Sequence, residues 1–162
     1  MPNEFFCYNA AMILVTGGTG FIGSYLVHHL AELGMPYRLL LQPGIDQDNL
    51  PRQTGMDIVL SSLDDERGIS SALRGVEVIY HLVGVERAGV KANLMETEVS
   101  YLDRLTNLAK RAGVRRFFYL SHIGADKSSA YSVLKAKAMA EAAIRNSGVP
   151  FTILRSAVVY GP

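Results

Sequence analysis

A chain of 162 residues is long enough for one domain of ordinary size, and with 49% hydrophobic residues it can bury a core. Its formal net charge is +1, with 16 Lys and Arg against 15 Asp and Glu scattered along the sequence; this argues against a nucleic-acid or acidic-membrane surface, which would cluster its cations. The single cysteine, Cys7, excludes a disulfide framework or a cysteine-ligated metal site within one chain and suits a reducing, cytoplasmic compartment.

Residues 1–11 show no clear period and no basic segment leading into an apolar run, so they read as a flexible N-terminal extension and not as a signal peptide. The domain proper is expected over 12–162. Met12-Ile13-Leu14-Val15 is a continuous apolar run, as for a strand buried on both faces. A glycine-rich turn follows, then a helix from Phe21 to Leu33 with Ile22, Leu26, Leu30 and Leu33 at helical spacing and Gly34 at its C-terminal end. His28 and His29 are adjacent on this helix, hence about 100° apart, which makes them a poor metal pair.

Tyr37–Leu41 is a second strand, closed by Pro43-Gly44, and the polar stretch Asp46–Gly55, broken by Pro51, reads as a loop. Met56–Leu60 is a third strand. Asp64-Asp65-Glu66 place negative charge at the start of a short helix reaching Leu73. Val76–Val83 is a fourth strand, Leu94–Ala112 a long helix stopped at Gly113, and Arg116–Ser121 a fifth strand. Ser128 or Ser129 is the expected cap of a helix running to Asn146, with Gly148 beyond it, and Phe151–Val159 is a sixth strand. No apolar run approaches the roughly 20 residues of a membrane span. Six strands alternating with helices imply right-handed crossovers and a doubly wound parallel α/β sheet of the Rossmann type. Its expected order is 3-2-1-4-5-6, with a ligand crevice at the carboxyl ends of strands one and four.

The turn after strand one reads Thr16-Gly17-Gly18-Thr19-Gly20-Phe21-Ile22-Gly23, with glycines spaced G-x-x-G-x-x-G. One glycine permits the tight turn, one lets backbone approach a pyrophosphate, and one lets helix and strand pack closely. Phosphates then meet N–H groups at the positive end of the helix. Placed between a buried strand and an amphipathic helix, the motif points to NAD or NADP. Strand two ends in Gln42, where an acid would hold a ribose 2′-hydroxyl and an arginine a 2′-phosphate. Glutamine accepts either, so the choice between NAD and NADP stays open, with Arg38 and Arg52 as further candidates.

With the glycine motif, the strand-four end His81-Leu82-Val83-Gly84 and Tyr131-Ser132-Val133-Leu134-Lys135, residues 12–162 resemble the extended and atypical short-chain dehydrogenase/reductase superfamily. That group includes nucleotide-sugar epimerases, NmrA-like proteins and the NAD(P)H-binding accessory subunit of complex I. The resemblance implies that Thr16, the loop Gly17 to Gly23, Gln42, Ser62, Leu63, Leu82, Val83, Gly84 and Ser121 contact the cofactor. It implies that Tyr131 and Lys135 are catalytic. Four residues apart on a helix they would share one face, with the ammonium lowering the phenol's pKa for proton exchange with substrate while Lys135 also bonds the nicotinamide ribose. His122 stands where active relatives carry Ser or Thr, and it reads equally as a carbonyl-polarising group or a structural histidine. Ser62 occupies the position where relatives often place an adenine-contacting Asp. In extended relatives, the Val-Tyr-Gly-Pro ending at Pro162 precedes a segment that builds the substrate pocket, so the chain reads as a fragment of a longer protein. The substrate stays unknown. Relatives often pair through the helices from Leu94 and Ser129, so the resemblance allows a homodimer. Two functions remain open: an oxidoreductase or epimerase/dehydratase using Tyr-Lys chemistry, and a non-catalytic NAD(P)H-binding regulatory or assembly module.

Overall fold

The structure, a computed structural model, describes residues 11–47, 50–51, 56–84 and 94–161. Six strands alternate with helices: β1 (Met12–Thr16), α1 (Phe21–Glu32), β2 (Tyr37–Leu41), β3 (Met56–Leu60), α2 (Glu66–Ala72) and β4 (Val76–His81). A π-helical turn at Glu96–Ser100 leads into α3 (Tyr101–Arg111), followed by β5 (Arg116–His122), α4 (Ser132–Ser147) and β6 (Phe151–Ser156). The sheet order is β3-β2-β1-β4-β5-β6, every pair parallel. The expected doubly wound Rossmann topology is therefore the one observed.

Side chains alternate across a strand, and β1 shows the consequence. Leu14 packs with Ile69, Leu102, Leu105, Phe117 and Ile144 on one face, whereas Ile13 and Val15 pack with Val27, Leu30 and Leu39 on the other. Continuous apolar strands are needed because both faces are covered. The Asp65 carboxylate accepts from the amides of Arg67 and Gly68, both at 3.0 Å, an N-cap typically worth about 1 kcal/mol to α2.

Three expected boundaries move by two residues or more. Strand β4 ends at His81, not Val83, and β6 ends at Ser156, not Val159. Beyond the last ladder bonds, Leu82 N–H to Thr16 and Ile123 N–H to Ser156, the chain leaves the sheet. Helix α4 begins at Ser132, with Tyr131 as its N-cap residue in extended conformation. The expected caps are occupied by local turns. The Ser128 amide and hydroxyl both donate to the Asp126 carboxylate, and the Ser129 hydroxyl accepts from the Tyr131 amide. Gly148, at φ 76°, ends α4 as expected. The N-terminal extension, apart from Ala11, and Arg52 lie outside the described residues, as does part of the Asp46–Gly55 loop.

Candidate functional site

The order reversal between β1 and β4 opens a crevice at their carboxyl ends. Gly17 turns the chain there with φ 77°, and a Cβ on it would lie 2.7 Å from backbone atoms of Leu82 and Val83. A Cβ on Gly23 would lie 2.0 Å from the Gly17 carbonyl oxygen, so this glycine packs α1 against the turn. Gly20 differs: its Cβ would meet only that same oxygen, at 3.3 Å, and otherwise open space. Gly20 is also the N-cap of α1, and no side chain caps the helix or places an acid in its first turn. Its first N–H groups are thus left for a ligand with negative charge.

Two cavities adjoin this loop and share Gly20, Leu82 and Gly84. The first, about 210 Å³, is lined by Gly17, Thr19, Leu41, Gln42, Ile45, Ser61, Leu63 and Val83 among others. The second, about 350 Å³, is lined by Phe21, Ile22, Gly23, Ser121, His122, Val133, Lys137 and the segment from Ser156 to Val159. Two lobes meeting at a helix N-terminus match a dinucleotide, whose two nucleosides flank a pyrophosphate.

Most of the expected cofactor residues line one lobe or the other, and five do not. Thr16 is fully buried, its Oγ1 2.7 Å from His81 Nδ1, pinning the ends of β1 and β4 together. Gly18 faces Leu39 and Val27. Ser62 is exposed and donates to Asp64, while the neighbouring Ser61 lines the first cavity. Tyr131 and Lys135 are both exposed, Tyr131 by 74%, and neither lines either of these two cavities. Arg38 is committed to Asp57 and to the carbonyls of Ala72 and Arg74, so it is held away from cofactor selection.

The face of α4 toward the cleft carries Val133 and Lys137. Lys135 precedes Lys137 by two residues, about 200° around the helix, and Tyr131 precedes the first helical residue. Lys137 had escaped the motif because a spacing of four does not say which face a pair occupies. The buried stripe Ala136, Ala140 and Ile144 was the available signal, since it turns Lys135 outward. The Lys137 ammonium lies 3.0 Å from Glu98 Oε2, 3.4 Å from the Leu120 carbonyl and 5.0 Å from the Tyr119 ring centre. The Tyr119 hydroxyl donates to the same Glu98 oxygen at 3.1 Å, and burial followed by the Glu98 charge pushes its pKa up. Ser121 donates to Glu141 at 2.6 Å. Burial pulls the Glu141 pKa upward, but hydrogen bonds from Arg155 and Ser121 outweigh it and hold the carboxyl below its ordinary value. His122 Nδ1 is buried with no partner among the described residues. His81, enclosed by Tyr101, Phe117 and Tyr119, is held neutral: burial and then the Lys137 charge push its pKa down to about 3. Among the described residues there is no group of His, Cys, Asp and Glu that could hold a metal, and no helix long and apolar enough to cross a membrane.

Comparison with known proteins gives this geometry its context. The profile of the NmrA-like family matches residues 9–162. The mitochondrial NADH dehydrogenase [ubiquinone] 1 alpha subcomplex subunit 9 of Arabidopsis thaliana is 31% identical over 91% of the chain and 38% of its own length. An NAD(P)H azoreductase of Xenophilus azovorans is 28% identical over 89% of the chain and 47% of its own length. A short-chain dehydrogenase/reductase superfamily protein of Agrobacterium tumefaciens, solved with bound NAD, superimposes with a TM-score of 0.68 at 27% identity, over 89% of the chain and 48% of that protein. The chain thus spans less than half the length of each of these relatives.

Proposed function

The chain belongs to the NmrA-like family, within the extended short-chain dehydrogenase/reductase superfamily, and from that premise we propose that it is an NAD(P)(H)-binding module. The observation that carries this reading is the meeting of two cavities at Gly20, beside the uncapped N-terminus of α1. Amides at the start of α1 would hold the pyrophosphate. Gln42, Ser61 and Leu63 would receive the adenosine end, with Lys137, Ser121 and Val133 around the nicotinamide end. When bound, the cofactor supplies or accepts a hydride. The residues assigned here bind and orient it.

The solvent-facing Tyr131 favours a holding role over Tyr-Lys catalysis. A dehydrogenase using Tyr131 as acid and Lys135 as its partner would need both to reach the cleft from the far side of α4. One observation favours a second, enzymatic reading: His122 lines the nicotinamide-side cavity, and a neutral imidazole can donate to a substrate carbonyl. The test is a fluorescence titration of the protein with NADH and NADPH. Saturable binding that Tyr131→Phe and Lys135→Ala leave unchanged supports the module. Absence of binding to either cofactor refutes it.

A further inference from the structure

The Lys137–Glu98 pair lies at the wall where the two cavities join. Glu98 is fully buried, and the Lys137 side chain is only 11% exposed. A Cβ on Gly84, which lines both cavities, would lie 2.7 Å from the Lys137 ammonium and 2.9 Å from Glu98 Oε1. The pair therefore rests directly against cleft backbone. Glu98 is carried by the wide π-helical turn, a distortion often found at functional sites.

We propose that Glu98 is a positioning residue that cancels the charge of Lys137 at this wall and so lets the site hold the oxidised and reduced nicotinamide with comparable affinity. The inference rests on the cofactor reading above. The oxidised nicotinamide ring carries a positive charge and the reduced ring carries none. An uncompensated ammonium beside it would repel the oxidised form selectively. A carboxylate 3.0 Å from the ammonium reduces the pair to a dipole, whose field falls off faster with distance. The shared hydrogen bond from Tyr119 fixes the carboxylate so that the cancellation persists.

The test measures dissociation constants for NAD⁺ and NADH, and for NADP⁺ and NADPH, on the folded wild-type protein and three variants. Glu98→Gln keeps the shape and removes the charge. It should raise the oxidised-to-reduced ratio of dissociation constants on the order of tenfold. Lys137→Met should move the ratio the opposite way, and the double variant should return it to near the wild-type value. If Glu98→Gln does not fold, Lys137→Met alone reads the same compensation with reversed sign. A ratio unchanged in every folded variant, or an equal loss of both forms, overturns the inference and leaves a merely structural pair. Failure of the wild-type protein to bind any of the four cofactors instead overturns the underlying cofactor reading.

Discussion

Gly20→Val separates the binding role of the glycine loop from its structural role. The Gly20 backbone is extended, at φ −75° and ψ 171°, which a β-branched residue adopts without strain. The added Cβ would touch only the Gly17 carbonyl oxygen, at 3.3 Å, and the rest of the side chain would project into the crevice. The cost to folding is about 1 kcal/mol, for a poorer N-cap residue. The cost to binding is larger. Each charge-assisted hydrogen bond from the helix N-terminus to a phosphate is worth about 1.5–3 kcal/mol, and losing two weakens affinity by at least about a hundredfold. Gly23→Ala is the control in the opposite sense: its methyl would fall 2.0 Å from the Gly17 carbonyl oxygen, so it should destabilise the fold itself. Thermal melts and NADPH fluorescence titrations of both variants make the comparison. A folded Gly20→Val protein with wild-type affinity would refute the placement of the pyrophosphate.

Other perturbations address separate parts of the account. His81 titrates near pH 6.5 when unfolded but only near 3 when folded, so the unfolded state binds more protons between these values. Its contribution is complete above pH 6.5 and is lost as pH falls toward 3; urea unfolding at pH 7 and pH 4.5 should differ by about 3 kcal/mol from this group alone. His81→Asn should remove that part of the slope, and an identical slope in the variant would contradict the neutral, buried assignment. Lys137→Ala should weaken binding of the reduced cofactor NADPH by about tenfold, as for one charge-assisted hydrogen bond, whereas Lys135→Ala should leave it unchanged; the reverse pattern in calorimetric titration would restore Lys135 to the site. Gln42→Arg should shift preference toward NADPH by about tenfold through a charge-assisted bond to the 2′-phosphate, and paired NADH and NADPH titrations showing no shift would move the selectivity elsewhere.

The topology was legible because each strand is a short apolar run bounded by turn chemistry, and because strand-helix alternation admits few arrangements. The glycine loop was legible for a similar reason: Gly17 and Gly23 meet backbone at distances that leave no room for a Cβ. What sequence reading placed wrongly was the start of α4. Ser128 and Ser129 look like helix caps, yet both are spent on turns around Asp126 and Tyr131. With the helix starting at Ser132, Tyr131 stays outside it and exposed, Lys135 falls on its outer side, and Val133 and Lys137 fall on its inner side. Ser61 and Ser62 repeat the lesson: adjacent residues at a strand end point apart, and only Ser61 lines the cavity. Glu98 gave no signal, because its partners Tyr119 and Lys137 come from elements distant in sequence.

The most direct test of the central claim is a crystal structure of the protein with NADP⁺ or NADPH bound. The account predicts pyrophosphate at the Gly20 end of α1, adenosine beside Gln42 and Ser61, and the nicotinamide ribose within about 3 Å of the Lys137 ammonium. A nicotinamide ribose bonded to Lys135 and Tyr131 instead, or a cofactor bound away from the Gly20 loop, would contradict it.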